Sequence, residues 1–127
     1  MDINHLTHKV IGSAYKVHKV LGPGFLEKVY ENSLTIELKK LGIDVRQQVN
    51  LPVWYEGQRV GLYFPDLWVD GQLIVEVKAI VALAPEHEMK LIHYLVATGI
   101  DHGLLINFGD RVQIKRKFRE YKPKRCE

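Results

Sequence analysis

The sequence is poor in cysteine, and this excludes two kinds of site. It has one cysteine, Cys126, in 127 residues, so no disulfide can form within the chain and a zinc site with four thiolate ligands is excluded. No run of about 18 apolar residues is present, which excludes a membrane-spanning helix. The first residues contain no apolar signal core. Together with the low cysteine content, this leads us to expect a cytoplasmic protein.

Internal repeats, low-complexity segments and linkers are also absent. The chain is long enough to bury a core, and this predicts a single domain over residues 1–127. The glycine turn at residues 22–24 lacks the lysine and hydroxyl residues of a phosphate-binding loop, which excludes that class of nucleotide site.

Positive charge is concentrated near the carboxyl end. Residues 1–109 carry ten Lys/Arg and twelve Asp/Glu, whereas residues 110–127 carry eight and three. We expect a basic C-terminal tail from about residue 115. Such a tail could bind a phosphate backbone, or it could be a solvated terminus.

Hydrophobic periodicity and turn residues predict an α-α-β-β-β-α-β-β order. Apolar residues at helical spacing predict helices over residues 3–21 and 25–41, and a third helix opens at Pro85 and ends before Gly99. Segments rich in β-branched residues, with turns between them, predict strands over residues 44–55, 59–69, 72–81, 103–108 and 112–118. Residues 72–81 are the most apolar, hence central, and residues 112–118 form an edge strand. The fold class is α/β, with helices against a mixed sheet.

Three charged residues interrupt two of these strands. Asp66 follows Pro65, and Glu76 and Lys78 interrupt the most apolar strand. Buried charge is costly unless it is paired or bound to metal. Two acids and a lysine can hold a divalent cation and orient a water molecule for phosphodiester hydrolysis. Two alternatives involve no catalytic function. Glu76 and Lys78 could form an ion pair that only stabilises the sheet, and Asp66 could be a strand-end residue fixed by Pro65.

The hairpin register tests this interpretation. A two-residue turn at Asp70-Gly71 would point Asp66 away from Glu76. A three-residue connection over residues 69–71, with Gly71 left-handed and Trp68 paired with Gln72, places both acids and Lys78 on one face. If the acids share a metal, we therefore predict the three-residue connection.

The chain resembles a known family at these positions. Pro65-Asp66 followed by Glu76-Val77-Lys78 is similar to the signature of the PD-(D/E)XK nuclease superfamily, and residues 24–30 match the GxxExxY motif of a small bacterial and archaeal family within it. The similarity covers nearly the whole chain and implies a restriction-endonuclease-like core. It also implies Asp66, Glu76 and the first-helix Glu27 as ligands of Mg²⁺ or Mn²⁺, with Lys78 beside the attacking water.

Four further residues are accessory candidates. Many members of the superfamily carry a glutamine in the last core helix with a tyrosine four positions on; here Tyr94 is present, but Lys90 replaces the glutamine. Lys90 could bind a phosphate or remain a surface lysine. Tyr30 is expected in the core or beside Glu27, and His18 could approach the site from the end of the first helix.

Two functions follow as hypotheses. The first is a metal-dependent nuclease that hydrolyses DNA in preference to RNA. The second is a nuclease-fold binding or regulatory module with weak or no catalysis, motivated by Lys90. A homodimer could complete the substrate groove in either case.

Overall fold

The computed structural model describes residues 1–119. Within them the chain forms three helices and seven strands, in the order α1 (Ile3–Leu21), α2 (Glu27–Lys40), β1 (Val45–Gln47), β2 (Leu51–Tyr55), β3 (Gln58–Tyr63), β4 (Leu67–Val69), β5 (Leu73–Lys78), α3 (Pro85–Thr98), β6 (His102–Phe108) and β7 (Val112–Phe118). No helix in this part of the chain has the length and apolarity needed to cross a membrane.

The helix ends follow the local sequence. Asp2 caps α1 by accepting a hydrogen bond from the Asn4 backbone N–H at 3.1 Å, which satisfies one of the free donors of the first turn. Gly99 ends α3 in the left-handed conformation, with φ 76°, which is the usual role of glycine after a helix. All three predicted helices are confirmed within one or two residues at their ends.

The main sheet has five strands in the order β1-β4-β5-β6-β7. β5 and β6 are parallel, and the other neighbours are antiparallel. α3 lies in the crossover between the parallel pair, as such a connection requires. The predictions of a central apolar strand and of an edge strand at residues 112–118 are confirmed.

Two predicted strands are wrong as single elements. Residues 44–55 and 59–69 are each divided, and their inner parts form a separate two-stranded sheet, β2–β3. The first division follows Gln48, whose φ of 54° takes the backbone out of the extended conformation. The second lies at Pro65, which lacks the N–H that a continuous sheet strand would donate.

The β4–β5 hairpin has a three-residue connection, but not with the predicted pairing. Val69 pairs with Leu73, and the partner of Trp68 is Ile74 rather than Gln72. Asp70 and Gly71 are both left-handed, with φ 53° and 64°. A shift of two residues leaves every side chain on its original face. The predicted common face of Asp66, Glu76 and Lys78 is therefore retained.

The sheet separates two hydrophobic clusters. Leu73, Val75 and Val77 of β5 pack with α1 and α2, whereas Ile74 packs with α3 and the β2–β3 hairpin. Because Glu76 and Lys78 alternate with the first set, they face the α3 side.

The basic segment from about residue 115 begins inside β7 rather than in a tail. Lys115, Arg116 and Lys117 belong to this edge strand. The remaining positions predicted for the tail, residues 120–127, lie outside the described part of the chain.

Candidate active site

Asp66 is fixed at the point where β4 begins. Its Oδ2 accepts a 2.7 Å hydrogen bond from the Val77 backbone N–H, and its Oδ1 lies 3.5 Å from Gln48 Nε2. Since Val77 lies between Glu76 and Lys78, this bond ties the aspartate to the strand that carries the other two candidates. The structure thus brings Asp66, Glu76 and Lys78 together.

Glu76 is held in place by a residue of the β2–β3 hairpin. Tyr63, the last residue of β3, donates its hydroxyl to Glu76 Oε1. The Tyr63 ring stacks on Tyr94 of α3, with centroids 3.8 Å apart and planes 8° from parallel. Burial raises the pKa of Tyr63, and the charge of Glu76 raises it further. The hydroxyl therefore keeps its proton and remains a donor.

The two acids share an environment that disfavours charge. Burial, and then the nearby charge of Asp66, raise the pKa of Glu76 to about 8. Burial also raises the pKa of Asp66, although the Val77 N–H opposes this rise. Two carboxylates that lose their protons reluctantly gain from a bound cation, because a cation can neutralise both.

Two glutamates of α2 approach the same acids. The pKa of Glu27 is raised by partial burial, lowered by Lys78 and raised again by Asp66, so Glu27 lies within electrostatic reach of both. Glu31, one turn later, is 3% exposed and bonds to Lys28 at 2.8 Å and to Gln47 at 2.6 Å. Its charge also raises the pKa of Asp66.

Sequence reasoning missed Glu31. The signal that could have found it is its i, i+4 spacing from Glu27, which places both on one helix face.

A cavity of about 250 Å³ opens beside the acids, between β5, α3 and the β2–β3 hairpin. Its lining includes the following charged and aromatic side chains: Tyr63, Phe64, Glu76, Lys78, His87, Lys90 and Tyr94. The accessory candidates Lys90 and Tyr94 are thus on the same cavity wall as the candidate catalytic residues. No pattern in the sequence identified Tyr63, because its position depends on the break in the predicted strand.

The other two accessory candidates have structural contacts. Tyr30 is fully buried, donates to the Gly22 carbonyl at 2.6 Å and accepts from the Phe25 N–H at 3.2 Å. It holds the turn between the first two helices. His18 Nε2 donates to the Gly109 carbonyl at 2.8 Å, so this side chain is engaged at the end of β6 and not with the acids.

Buried Asn107 fixes the segment that follows Lys78. Its side chain accepts from the Ile80 N–H and donates to the Ile80 carbonyl, both at 2.9 Å, and also donates to Gln113 at 3.0 Å. Asn107 pairs with Lys78 across the parallel strands. It was not among the sequence candidates, because a single asparagine in an apolar strand carries no spacing signal.

The donor set suits a hard divalent cation. Within residues 1–119 no group of three or more His, Cys, Asp and Glu side chains is arranged around a common metal position. Magnesium, however, binds through one or two carboxylates and completes its octahedron with water and substrate phosphates. Asp66 and Glu76 meet that requirement. The pKa of each is raised, and a bound cation would lower both by favouring the charged carboxylates.

Comparison with solved structures shows similarity in fold. The crystal structure of SSO0001 matches with 17% identity and a TM-score of 0.55, covering 94% of this chain; the chain spans 60% of the length of that protein. An alkaline exonuclease from Laribacter hongkongensis matches with 12% identity and a TM-score of 0.48, over 90% of this chain and 82% of the exonuclease. No curated protein matches the chain.

A sequence profile described as the PD-(D/E)XK nuclease superfamily matches residues 4–120. This range includes the candidate acids, Lys78 and the elements that position them. The chain belongs to the PD-(D/E)XK nuclease superfamily.

Proposed function

We propose that this protein is a divalent-metal-dependent nuclease of the GxxExxY type, which hydrolyses phosphodiester bonds of DNA in preference to RNA. The observation that carries the proposal is the placement of Asp66, Glu76 and Lys78 on one face at one strand end, with Glu76 and Lys78 lining an open cavity. Membership of a nuclease superfamily supports the reaction class. A cytoplasmic location remains our expectation from the sequence.

Each residue of the site would have a separate role in hydrolysis. Asp66 and Glu76 would hold Mg²⁺ or Mn²⁺ directly, and Glu27, within electrostatic reach of Asp66, would add negative charge near the metal; the metal would supply activation of water and charge neutralisation at the scissile phosphate. Lys78 orients the attacking water and offsets the negative charge that develops on the phosphate. Tyr63 and the Val77 N–H keep the two acids in position. The water oxygen loses a proton and bonds to phosphorus, while the bond from phosphorus to the leaving oxygen breaks and that oxygen takes up a proton.

Lys90 and the basic residues of β7 would bind the phosphate backbone of the substrate. Lys90 lines the cavity, where an ammonium group could hold a neighbouring phosphate. Contacts of this kind neutralise the backbone without reading its sequence. A homodimer would extend the surface available to the substrate.

The test is cleavage of end-labelled single- and double-stranded DNA with Mg²⁺, Mn²⁺ or EDTA. We expect metal-dependent products from the wild type and a loss of at least about a hundredfold in rate for Lys78→Ala, because transition-state charge loses its partner. Lys39→Ala, which removes an exposed lysine at the end of α2, is the matched control and should cleave normally. Equal cleavage by wild type and Lys78→Ala would refute the mechanism.

A second function is favoured by one observation. Lys90 adds a second ammonium group to the cavity that holds Lys78, and this charge could compete with a metal. The protein would then be a binding or regulatory module with weak or no catalysis. This alternative predicts no products with any metal, salt-sensitive binding of DNA in EDTA, and gain of cleavage in Lys90→Gln.

A further inference from the structure

The β2–β3 hairpin and the residue that follows it expose several large apolar side chains. We define the apolar hairpin as five residues between 39% and 64% exposed: Trp54, Tyr55, Val60, Leu62 and Phe64. Exposed apolar groups that cluster along one element mark binding surfaces more often than solitary ones do. Neither the metal nor the water-activating residues require this surface, so it needs another explanation.

The apolar hairpin is continuous with the candidate active site. Leu62 and Phe64 line the same cavity as Glu76 and Lys78. Phe64 also lies only two residues before Asp66 in the chain. An occupant of the cavity would therefore contact Glu76, Lys78 and these apolar side chains together.

The far end of the hairpin combines aromatic groups with one positive charge. Trp54 pairs with Arg59 across the two strands, and Tyr55 pairs with Gln58. Exposed aromatic rings beside an arginine can stack on bases while the guanidinium contacts phosphate.

A second apolar surface is formed by residues next to Glu27 and Lys78 in the chain. Leu26, directly before Glu27, is 80% exposed, and Val81, three residues after Lys78, is 97% exposed. Both line a shallow cavity of about 410 Å³ together with Phe25. The charged residues of the site are thus flanked by apolar side chains in both directions along the chain.

This composition distinguishes between two forms of nucleic acid. A duplex presents its phosphates and sugars outward and keeps the faces of its bases stacked inside, so a surface for duplex is mainly basic and polar. A single strand exposes base faces, which stack on aromatic and apolar side chains. Lys78 and Lys90 line the cavity, and Arg59 is an exposed cation of the hairpin. The five exposed apolar side chains of the apolar hairpin outnumber these cations.

We propose that the cleft takes single-stranded DNA, with Leu62 and Phe64 packing against a base next to the scissile phosphate. Trp54, on the same face of the hairpin as Leu62, receives a base further along the strand, and Arg59, its cross-strand partner, contacts the intervening phosphate. This inference rests on the proposed nuclease function and specifies its substrate as unpaired nucleotides.

The test measures binding without requiring cleavage. Fluorescence anisotropy of labelled oligothymidine about fifteen nucleotides long, and of a duplex of equal length, is recorded in EDTA and again with Ca²⁺. Loss of one stacked base is expected to weaken single-strand binding by about 5- to 150-fold in Phe64→Ala, while Phe64→Trp retains it. Tyr15→Ala removes a similarly exposed aromatic from α1 and is the matched control.

A spectroscopic readout separates stacking from a general loss of fold. The protein has two tryptophans, and in Trp68→Phe the remaining fluorescence reports on exposed Trp54. Oligothymidine should quench this signal to saturation, since a stacked base lies against the ring. Duplex at the same concentration should quench it much less.

Each outcome has a defined meaning. Weaker single-strand binding in Phe64→Ala with quenching of Trp54 supports the inference. Equal binding by wild type and Phe64→Ala under both conditions, including no binding, overturns it, as does tighter binding of duplex. Self-association that Phe64→Ala abolishes, without DNA binding, would assign the surface to a second copy and also overturn it. Phe64-dependent binding without any cleavage would contradict only the nuclease proposal.

Discussion

Glu76 lies in a largely buried strand of the main sheet, and its neighbours decide how it titrates. β5 is buried at four of its six positions, and Glu76 faces Asp66 and the hydroxyl of Tyr63. Burial and the aspartate charge favour the neutral form, so its pKa is raised to about 8. A carboxyl that retains its proton near neutral pH is unusual outside functional sites.

This shift predicts how stability depends on pH without metal. Between about pH 4.5 and 8 the unfolded chain releases the Glu76 proton while the folded chain keeps it. The folded state then binds more protons, so the Glu76 contribution to the free energy of unfolding falls as pH rises. We expect the difference in melting temperature between Glu76→Gln and wild type, both in EDTA, to shift in favour of the variant from about pH 5 to about pH 8.5. Thermal unfolding followed by circular dichroism measures it.

Glu86→Gln is the control for this prediction, since it neutralises an exposed acid of α3. Its melting temperature relative to wild type should change much less over the same range. A constant difference between Glu76→Gln and wild type at every pH would contradict the assigned environment of Glu76.

At the scale of elements, the ends of β5 and β6 position the candidate site. The Asn107 side chain hydrogen-bonds to both the N–H and the carbonyl of Ile80, and Gly109 approaches the same segment. A Cβ added at Gly109 would lie 2.8 Å from the Ile80 carbonyl oxygen and 3.3 Å from Asn107 Nδ2. The close approach of the two segments therefore requires glycine at this position.

A matched pair of glycine substitutions tests this contact. Gly109→Ala is expected to destabilise the protein by about 1–3 kcal/mol, because the backbone of the Ile80 segment must move. At Gly12, inside α1, an added Cβ meets nothing within 4 Å, so Gly12→Ala should stabilise by about 0.5–1 kcal/mol through helix propensity. Urea unfolding of both variants provides the comparison, and effects of the same sign would contradict it.

For the whole molecule, the site depends on two layers that pack on opposite faces of one sheet. α1 and α2 cover one face with a core that includes Leu34, and α3 and the β2–β3 hairpin cover the other. The acids on the sheet are reached by Glu27 and Glu31 from the first layer and by Tyr63 from the second. A mutation that weakens the packing of either layer on the sheet would therefore disturb the candidate site.

Packing of the first layer gives a stability prediction. Leu34 is fully buried between α2 and the sheet, and Leu34→Ala is expected to cost about 2–5 kcal/mol because it leaves a cavity. Ile36→Ala, on the same helix but 56% exposed, should cost less than about 1 kcal/mol. Chemical denaturation of both proteins measures the difference, and comparable losses would show that α2 is packed differently.

Much of the fold could be predicted because its signals are local. Periodic apolar residues place α1, α2 and α3, and Gly71 with Asp70 places the β4–β5 turn. The errors arose where a short break divides a strand-like segment, at Gln48 and at Pro65. Each half retains strand-forming residues, so local pattern could not reveal that the halves enter different sheets.

The sequence by itself determined the helices, the central apolar strand and the common face of Glu76 and Lys78, since these depend on periodicity. It left the face of Asp66 open between two hairpin registers, and the register in the structure decided it. Only the tertiary structure decided that Glu31 and Tyr63 join the acids and that Lys90 lines their cavity. Residues from α2, β3 and α3 meet there because separate elements pack on the sheet, and that proximity has no spacing along the chain from which it could be predicted.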